Sequence, residues 1–175
     1  MLDRVQGATD EPTVTVRLIV NGRAEECSVS PRMLLSDFIR HELRLTGTHV
    51  GCEHGVCGCC TIRIDGETAR SCLTLAVQVD GRSIETVESL GPGGGALGPV
   101  QQAFKECHGL QCGYCTPGFL MVVTDFLEKA PDPDLSEEGI RTALSGNLCR
   151  CTGYHNIVKA VLDAASRMKV AQAAE

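Results

Sequence analysis

The first readable pattern in the chain is an alternation. In "TVTVRLIV", residues 13–20, Thr13, Thr15, Arg17 and Ile19 alternate with Val14, Val16, Leu18 and Val20. That is the period of a strand with one buried face. Asn21-Gly22 follows, a strong two-residue hairpin signal, and "RAEECSVS" supplies the return strand. Ser30-Pro31 then reads as a helix start, with Ser30 as N-cap and Pro31 at the first helical position. Behind it Leu34, Leu35, Phe38, Ile39 and Leu43 fall on one helical stripe, which Gly47 closes. After a cysteine-rich loop, "TIRIDGETARSC" predicts a strand, an Asp-Gly turn and a second strand, and a last strand is expected at 82–87. The pattern predicts a small mixed sheet with one helix laid on it.

"LGPGGGALGP", beginning at Leu90, interrupts all periodicity and reads as a linker. Beyond it the pattern turns helical, with segments expected at about 99–108, 117–129, 136–145 and 155–168. Pro117 marks one helix start, Ser136 is placed as an N-cap before Glu137 and Glu138, and Gly146 follows a helix end. The fold class is therefore α+β. A tail spans 1–11, a sheet domain 12–89, the linker 90–98 and a helical domain 99–175. "CGYCTPGF" and "CRCTGYH" both set cysteine, Thr and Gly just before a helix. Two helix N-termini would then converge on one anionic site.

The formal net charge of −6 and the absence of a basic run argue against nucleic acid. Four Phe, two Tyr and no Trp leave little for base stacking. No export signal opens the chain and no apolar run approaches a membrane span, so a cytoplasmic location is expected. A cytosolic chain keeps its thiols reduced. Its 11 cysteines, clustered and odd in number, then read as metal ligands rather than cross-links.

The stretch "GCEHGVCGCCT" gives Cys52-x4-Cys57-x2-Cys60, with Cys72 further on. The first three match the plant-type spacing for a 2Fe–2S cluster, and Gly51, Gly55 and Gly58 let the backbone wrap it closely. Cys112-x2-Cys115 and Cys149-x-Cys151 supply a second quartet. On spacing alone a structural zinc site could use that second set, but a redox centre beside the first would make an electron path. A Rieske centre is excluded. Cys52-Glu53-His54 gives the Cys-x-His half, yet the residues three before each histidine are Phe38, Thr46, Gly51, Lys105 and Thr152. His54 is left as a solvated loop residue. Cys27 reads as a small buried hydrophobe, Cys107 as a helix-end neighbour and Cys59 as a small residue filling a tight turn beside the ligand Cys60. The glycines from Gly93 to Gly98 match G-x-G-x-x-G, but no parallel strand and acid follow, so they remain linker.

"GCEHGVCGCCT", "SCL", "QCGYCTPG" and "GNLCRCTGY", in this order, resemble the iron–sulfur subunit of the molybdenum hydroxylases, the xanthine dehydrogenase family. The resemblance covers roughly residues 13–168 and is carried by two independent cysteine signatures. It implies an N-terminal plant-ferredoxin-like β-grasp domain and a C-terminal four-helix bundle with pseudo-two-fold symmetry. It implies two 2Fe–2S clusters. The one on Cys112, Cys115, Cys149 and Cys151 would lie near a molybdopterin-type molybdenum cofactor, which Gln111 and Cys151 would approach. The one on Cys52, Cys57, Cys60 and Cys72 would pass electrons to FAD. Molybdenum and FAD would be held by a large and a medium partner subunit, in a dimer of heterotrimers of the carbon-monoxide-dehydrogenase-like type. The complex would hydroxylate a small organic substrate, N-heteroaromatic or aromatic by preference, with oxygen from water. Carbon monoxide or aldehyde oxidation by the same type of complex, and a free ferredoxin-type carrier, are the alternatives. Family members often carry Ala where this chain has Cys59, and Cys107 lies outside the motif; neither departure removes a ligand.

Overall fold

The computed structural model describes residues 12–172, and the expected tail at 1–11 lies outside them. The first half forms a five-stranded mixed sheet in the order β2-β1-β5-β3-β4. Its strands are β1 (Val14–Val20), β2 (Arg23–Val29), β3 (Thr61–Ile64), β4 (Glu67–Arg70) and β5 (Ser83–Glu85). β1 and β2 are antiparallel, with Val20 opposite Arg23. Between them Asn21 and Gly22 both take positive φ, 49° and 79°, as a tight hairpin turn demands. β1 runs parallel to β5, while β3 is antiparallel to both β4 and β5. The alternation predicted for β1 holds: Val16, Leu18 and Val20 are buried, whereas Ile19 faces out.

The helix expected from Ser30-Pro31 starts later. Pro31 and Arg32 make a turn that Met33 closes by donating to the Ser30 carbonyl at 3.0 Å, Leu34 is extended and bridges to Leu75, and only Leu35–Asp37 is α-helical (α1). A wider π-type turn, Phe38–Glu42, continues it. The physical reason is a competing partner. Leu35 donates to the Thr74 carbonyl at 2.7 Å and Ala76 donates to Met33 at 2.8 Å. These cross-chain bonds hold the residues before Leu35 out of helical register. The apolar stripe survives, since Leu35, Phe38 and Ile39 are fully buried with Val16, Ile62 and Ile84 in the core of this half.

The second half contains α2 (Pro99–Glu106), α3 (Thr116–Lys129), α4 (Glu137–Ala143) and α5 (His155–Gln172). Pro117 sits in the first turn of α3, where its missing N–H costs nothing. Ser136 caps α4, its hydroxyl accepting the Gly139 N–H at 3.0 Å. α5 runs on past the expected residue 168, with no Gly or Pro to stop it. α2 and α4 both pack on α5, and α3 lies against α2 and against β3. Phe104, Phe119, Ile140, Leu144, Ile157 and Val161 fill a second, separate core. Burying each such side chain contributes about 1.5–3 kcal/mol.

A buried cation joins the two cores. The Arg63 side chain, on β3, is only 10% exposed and pairs with Asp125 at 3.0 Å and Glu128 at 2.7 Å on α3. Glu85 on β5 approaches it at 3.5 Å. Lys129, at the end of α3, reaches Glu67 on β4 at 2.8 Å.

Candidate metal centre

The loop that runs from α1 to β3 is bent by Glu53, Gly55 and Gly58, all at positive φ. The bend turns backbone amides toward sulfur: the Cys57 N–H points at Cys52 Sγ, 3.4 Å away. That amide, followed by the one at His54, holds the Cys52 thiol down at about 6. Cys72 does not sit on a strand. It lies in a short 3-10 turn, Ser71–Leu73, just past β4. Ser71 brings it in, donating from both its amide (3.2 Å) and its hydroxyl (2.8 Å) to the Cys60 carbonyl. Two sulfur pairs result, Cys52 with Cys57 and Cys60 with Cys72. Burial and then the Cys60 thiol push Cys72 up to about 11.

The second quartet forms where two loops end in helices. α3 begins directly after Cys115 and α5 shortly after Cys151. Gly113 and Gly153, both at positive φ, turn the two loops toward each other. Cys112 Sγ lies 3.5 Å from Cys151 Sγ, and Cys115 meets Cys149. Burial, then Cys149, pushes the Cys115 thiol up to about 12. Burial works against ionisation at Cys149 too. There the Thr152 hydroxyl (3.1 Å) and amide (3.4 Å) aim at the sulfur and hold its pKa below the usual thiol value. Tyr154 accepts the Cys149 N–H at 3.0 Å and fixes that loop from behind. Gln111, Cys112 and Cys151 are all exposed, as are the apolar residues Leu110, Tyr114 and Leu148 close to them in the chain.

The thiols left over by spacing fall into place. Cys27 is half-buried against the sheet core and Cys107 ends α2 against the helical core. His54 is exposed, its ring bonded to the Cys52 carbonyl at 2.5 Å. Cys59 is buried between the two quartets. Its thiol meets that of Cys57 and is pushed up to about 12, first by burial and then by Cys57, and it lies near enough to Cys115 to help raise that thiol.

Residues that spacing does not mark bind the two loops together. Leu148 donates its N–H to the Cys57 carbonyl at 2.9 Å. Asn147, 2% exposed, donates through Nδ2 to the Gly58 carbonyl at 3.2 Å. Arg70 donates to the Gly146 carbonyl at 2.7 Å. Tyr114, beside Cys115, donates to the Val50 carbonyl at 2.7 Å and stacks on His49.

The donor sets fit binuclear clusters. Each loop system gathers the four thiols that two irons with two thiolates apiece require, with Cys59 a fifth thiol beside Cys57 in the first. Amides and a hydroxyl directed at sulfur suit an anionic cluster, whose potential such donors tune.

A ferredoxin-like α+β fold with two such quartets defines a two-centre iron–sulfur protein. Comparison with known proteins agrees. Residues 18–86 match the 2Fe–2S iron–sulfur cluster binding domain, and residues 86–162 match a second 2Fe–2S binding domain. The chain is 57% identical to the caffeine dehydrogenase subunit gamma of a Pseudomonas species, over 91% of this chain and 96% of that one. It is 58% identical to the nicotine 6-hydroxylase small subunit of Paenarthrobacter nicotinovorans, over 86% and 89%. Among solved structures, quinoline 2-oxidoreductase from Pseudomonas putida 86 superposes with a TM-score of 0.85 at 47% identity, covering 90% of this chain and 97% of that one. The chain belongs to the family of small iron–sulfur subunits of the molybdenum hydroxylases.

Proposed function

We propose that Cys52, Cys57, Cys60 and Cys72 hold one 2Fe–2S cluster, that Cys112, Cys115, Cys149 and Cys151 hold the other, and that the chain relays electrons between them. The observation that carries this is geometric: Cys112 and Cys151 lie 3.5 Å apart, and backbone amides and the Thr152 hydroxyl are directed at the sulfurs of Cys52 and Cys149. When bound, such clusters take up and release one electron at a time. The protein's part is to fix the sulfurs, exclude water from the inner ones and set their hydrogen bonds. The outer pair, Cys112 and Cys151, remains at the surface.

That exposed edge supports an orientation. Gln111 and Cys151 would face the molybdopterin in a large subunit, with Leu110, Tyr114 and Leu148 covered in the complex. The other quartet would serve FAD in a medium subunit, the whole forming a dimer of heterotrimers in the cytoplasm. The helical half would be a four-helix bundle with pseudo-two-fold symmetry, for which the paired Cys–Thr–helix starts at Thr116 and His155 are the support. An N-heteroaromatic substrate is favoured. The proteins named for caffeine and nicotine are 57% and 58% identical to this chain, and an aldehyde oxidoreductase subunit of Escherichia coli is 40% identical.

Iron analysis with EPR tests the assignment: about four irons per chain and two distinct reduced signals are expected. A colourless protein that carries zinc overturns it. Hydrogen exchange tests the orientation. Protection at Gln111 and at 149–154 should rise on assembly with the large subunit, and unchanged exchange there rejects it. Bleaching of the clusters by an N-heteroaromatic compound in the assembled complex tests the substrate class.

A further inference from the structure

The two cysteine quartets belong to different halves of the chain, built on separate cores. Beside the Arg63 ion pairs that join the cores, a small polar knot ties the two halves together next to the cysteines. The Gly58 carbonyl lies at its centre and accepts three donors: the Thr61 amide at 3.2 Å, the Thr61 hydroxyl at 2.6 Å and Asn147 Nδ2 at 3.2 Å. Arg70 holds the other side of the same amide, Nη2 to Oδ1 at 3.4 Å, and also bonds the Thr61 hydroxyl. The Asn147 backbone is engaged too: its N–H donates to Leu144 at 2.9 Å and its carbonyl accepts from Tyr154 at 3.1 Å. Both Gly58 and Gly118 lack the side chain that would wedge this contact open. A Cβ on Gly58 would come 2.6 Å from Asn147 Cγ.

One residue on from this knot in each loop direction, the quartets are joined directly. Leu148, next to Asn147, donates to the carbonyl of Cys57, next to Gly58, at 2.9 Å. Leu148 precedes the thiol Cys149 in the chain, and Cys57 is itself a thiol of the other quartet. A single hydrogen bond therefore completes a backbone route from one quartet to the other.

From this we infer that Asn147 is a positioning residue for electron passage between the two centres. Its buried amide clamps the Gly58 carbonyl, and the clamp keeps the Leu148–Cys57 bond closed and the quartets in one fixed orientation. The passage itself makes and breaks no bond: one electron lost by one centre is the electron gained by the other. The amide acts through position: of the three donors on the Gly58 carbonyl, two come from Thr61 in the same half, and Asn147 Nδ2 is the one that reaches it from the helical half.

The inference rests on the assignment of the two quartets proposed above, and the two fail differently. A wrong assignment shows in the wild-type protein, as missing iron or a missing EPR signal. The test of the clamp uses the complex isolated with its partner subunits and the variant Asn147→Asp, which keeps the shape and the Arg70 partner but removes the Nδ2 donor. Three results are expected together. Iron per chain stays at the wild-type value. Exchange of the Leu148 amide rises by about tenfold or more, the effect of one lost hydrogen bond. The spin–spin splitting between the two reduced centres changes, because it depends on their separation and relative orientation. Wild-type splitting and wild-type Leu148 protection overturn the inference. If Asn147→Asp does not retain iron, Asn147→Ser is measured instead, since it removes the Nδ2 donor without burying a carboxylate. Unchanged splitting and protection there overturn the inference as well.

Discussion

Gly118, in the first turn of α3, lies so close to Gly58 that a methyl group at 118 would overlap the Gly58 carbonyl oxygen and press on Cys59 Cα at 3.0 Å. Neither atom is the end of a flexible side chain, so neither can swing away. The helix that starts at one quartet is thereby seated on the loop of the other. Gly118→Ala should destabilise the joined structure by about 1–3 kcal/mol, the usual cost of forcing extra volume into a packed site. The temperature at which the visible cluster absorption bleaches should fall by several degrees. A bleaching temperature equal to wild type would mean that α3 slides freely on the loop.

Cys59 and Cys60 are adjacent and both buried, yet their sulfurs meet different partners. Cys60 meets Cys72, completing a pair, whereas Cys59 meets Cys57, which already pairs with Cys52. Cys59→Ala should therefore keep about four irons per chain, because two binuclear clusters need that number. Cys60→Ala should drop the plant-type EPR signal and about half the iron. Loss of that signal in the Cys59 variant would reverse the two roles.

Much of this arrangement was legible in the sequence because it is local. Alternation over 13–20, the Asn-Gly turn and the Ser136 cap depend on neighbours within a few residues, and all three appear as expected. The cysteine spacings are local as well, since each loop carries its own thiols. What escaped depends on distant partners. Ser30-Pro31 has the chemistry of a helix start, but bonds to 74–76 delay the helix to Leu35. Asn147 is an unremarked residue between Gly146 and Leu148 until Gly58, 89 positions away, becomes its neighbour. Cys59 likewise gains its position between the quartets only when the halves meet.

Arg63 offers a test of how those halves are held together. Its side chain is 10% exposed and faces Asp125, Glu128 and Glu85, with the Asp125 side chain 17% exposed. Arg63→Met keeps the apolar stem and removes the charge, stranding carboxylates that are partly out of water. The loss should be about 3 kcal/mol in denaturant unfolding, as for a buried pair broken from one side. Adding Asp125→Asn to the same chain should recover part of it, because a neutral amide tolerates the site better. A loss under about 0.5 kcal/mol would place the group among solvent-screened surface pairs instead.

Cys112 and Cys151 are the two exposed members of their quartet, and their sulfurs lie 3.5 Å apart. A disulfide needs about 2 Å, so a small movement of either loop is enough to join them. Their partners Cys115 and Cys149 are less accessible, and that burial shields them even though Thr152 holds the Cys149 pKa below the usual thiol value and Cys112 raises that of Cys151. Chelation of iron followed by a mild thiol oxidant such as diamide should therefore cross-link Cys112 to Cys151 first. Peptide mapping should find the 112–151 pair short of two hydrogens while Cys115 and Cys149 still take up a thiol label. In Cys112→Ser the early cross-link should vanish. Reduction followed by iron and sulfide should restore the cluster absorption in the wild type. If Cys115 and Cys149 link first, the outer pair is not the exposed edge of this centre, and the face assigned to the molybdenum subunit would have to be moved.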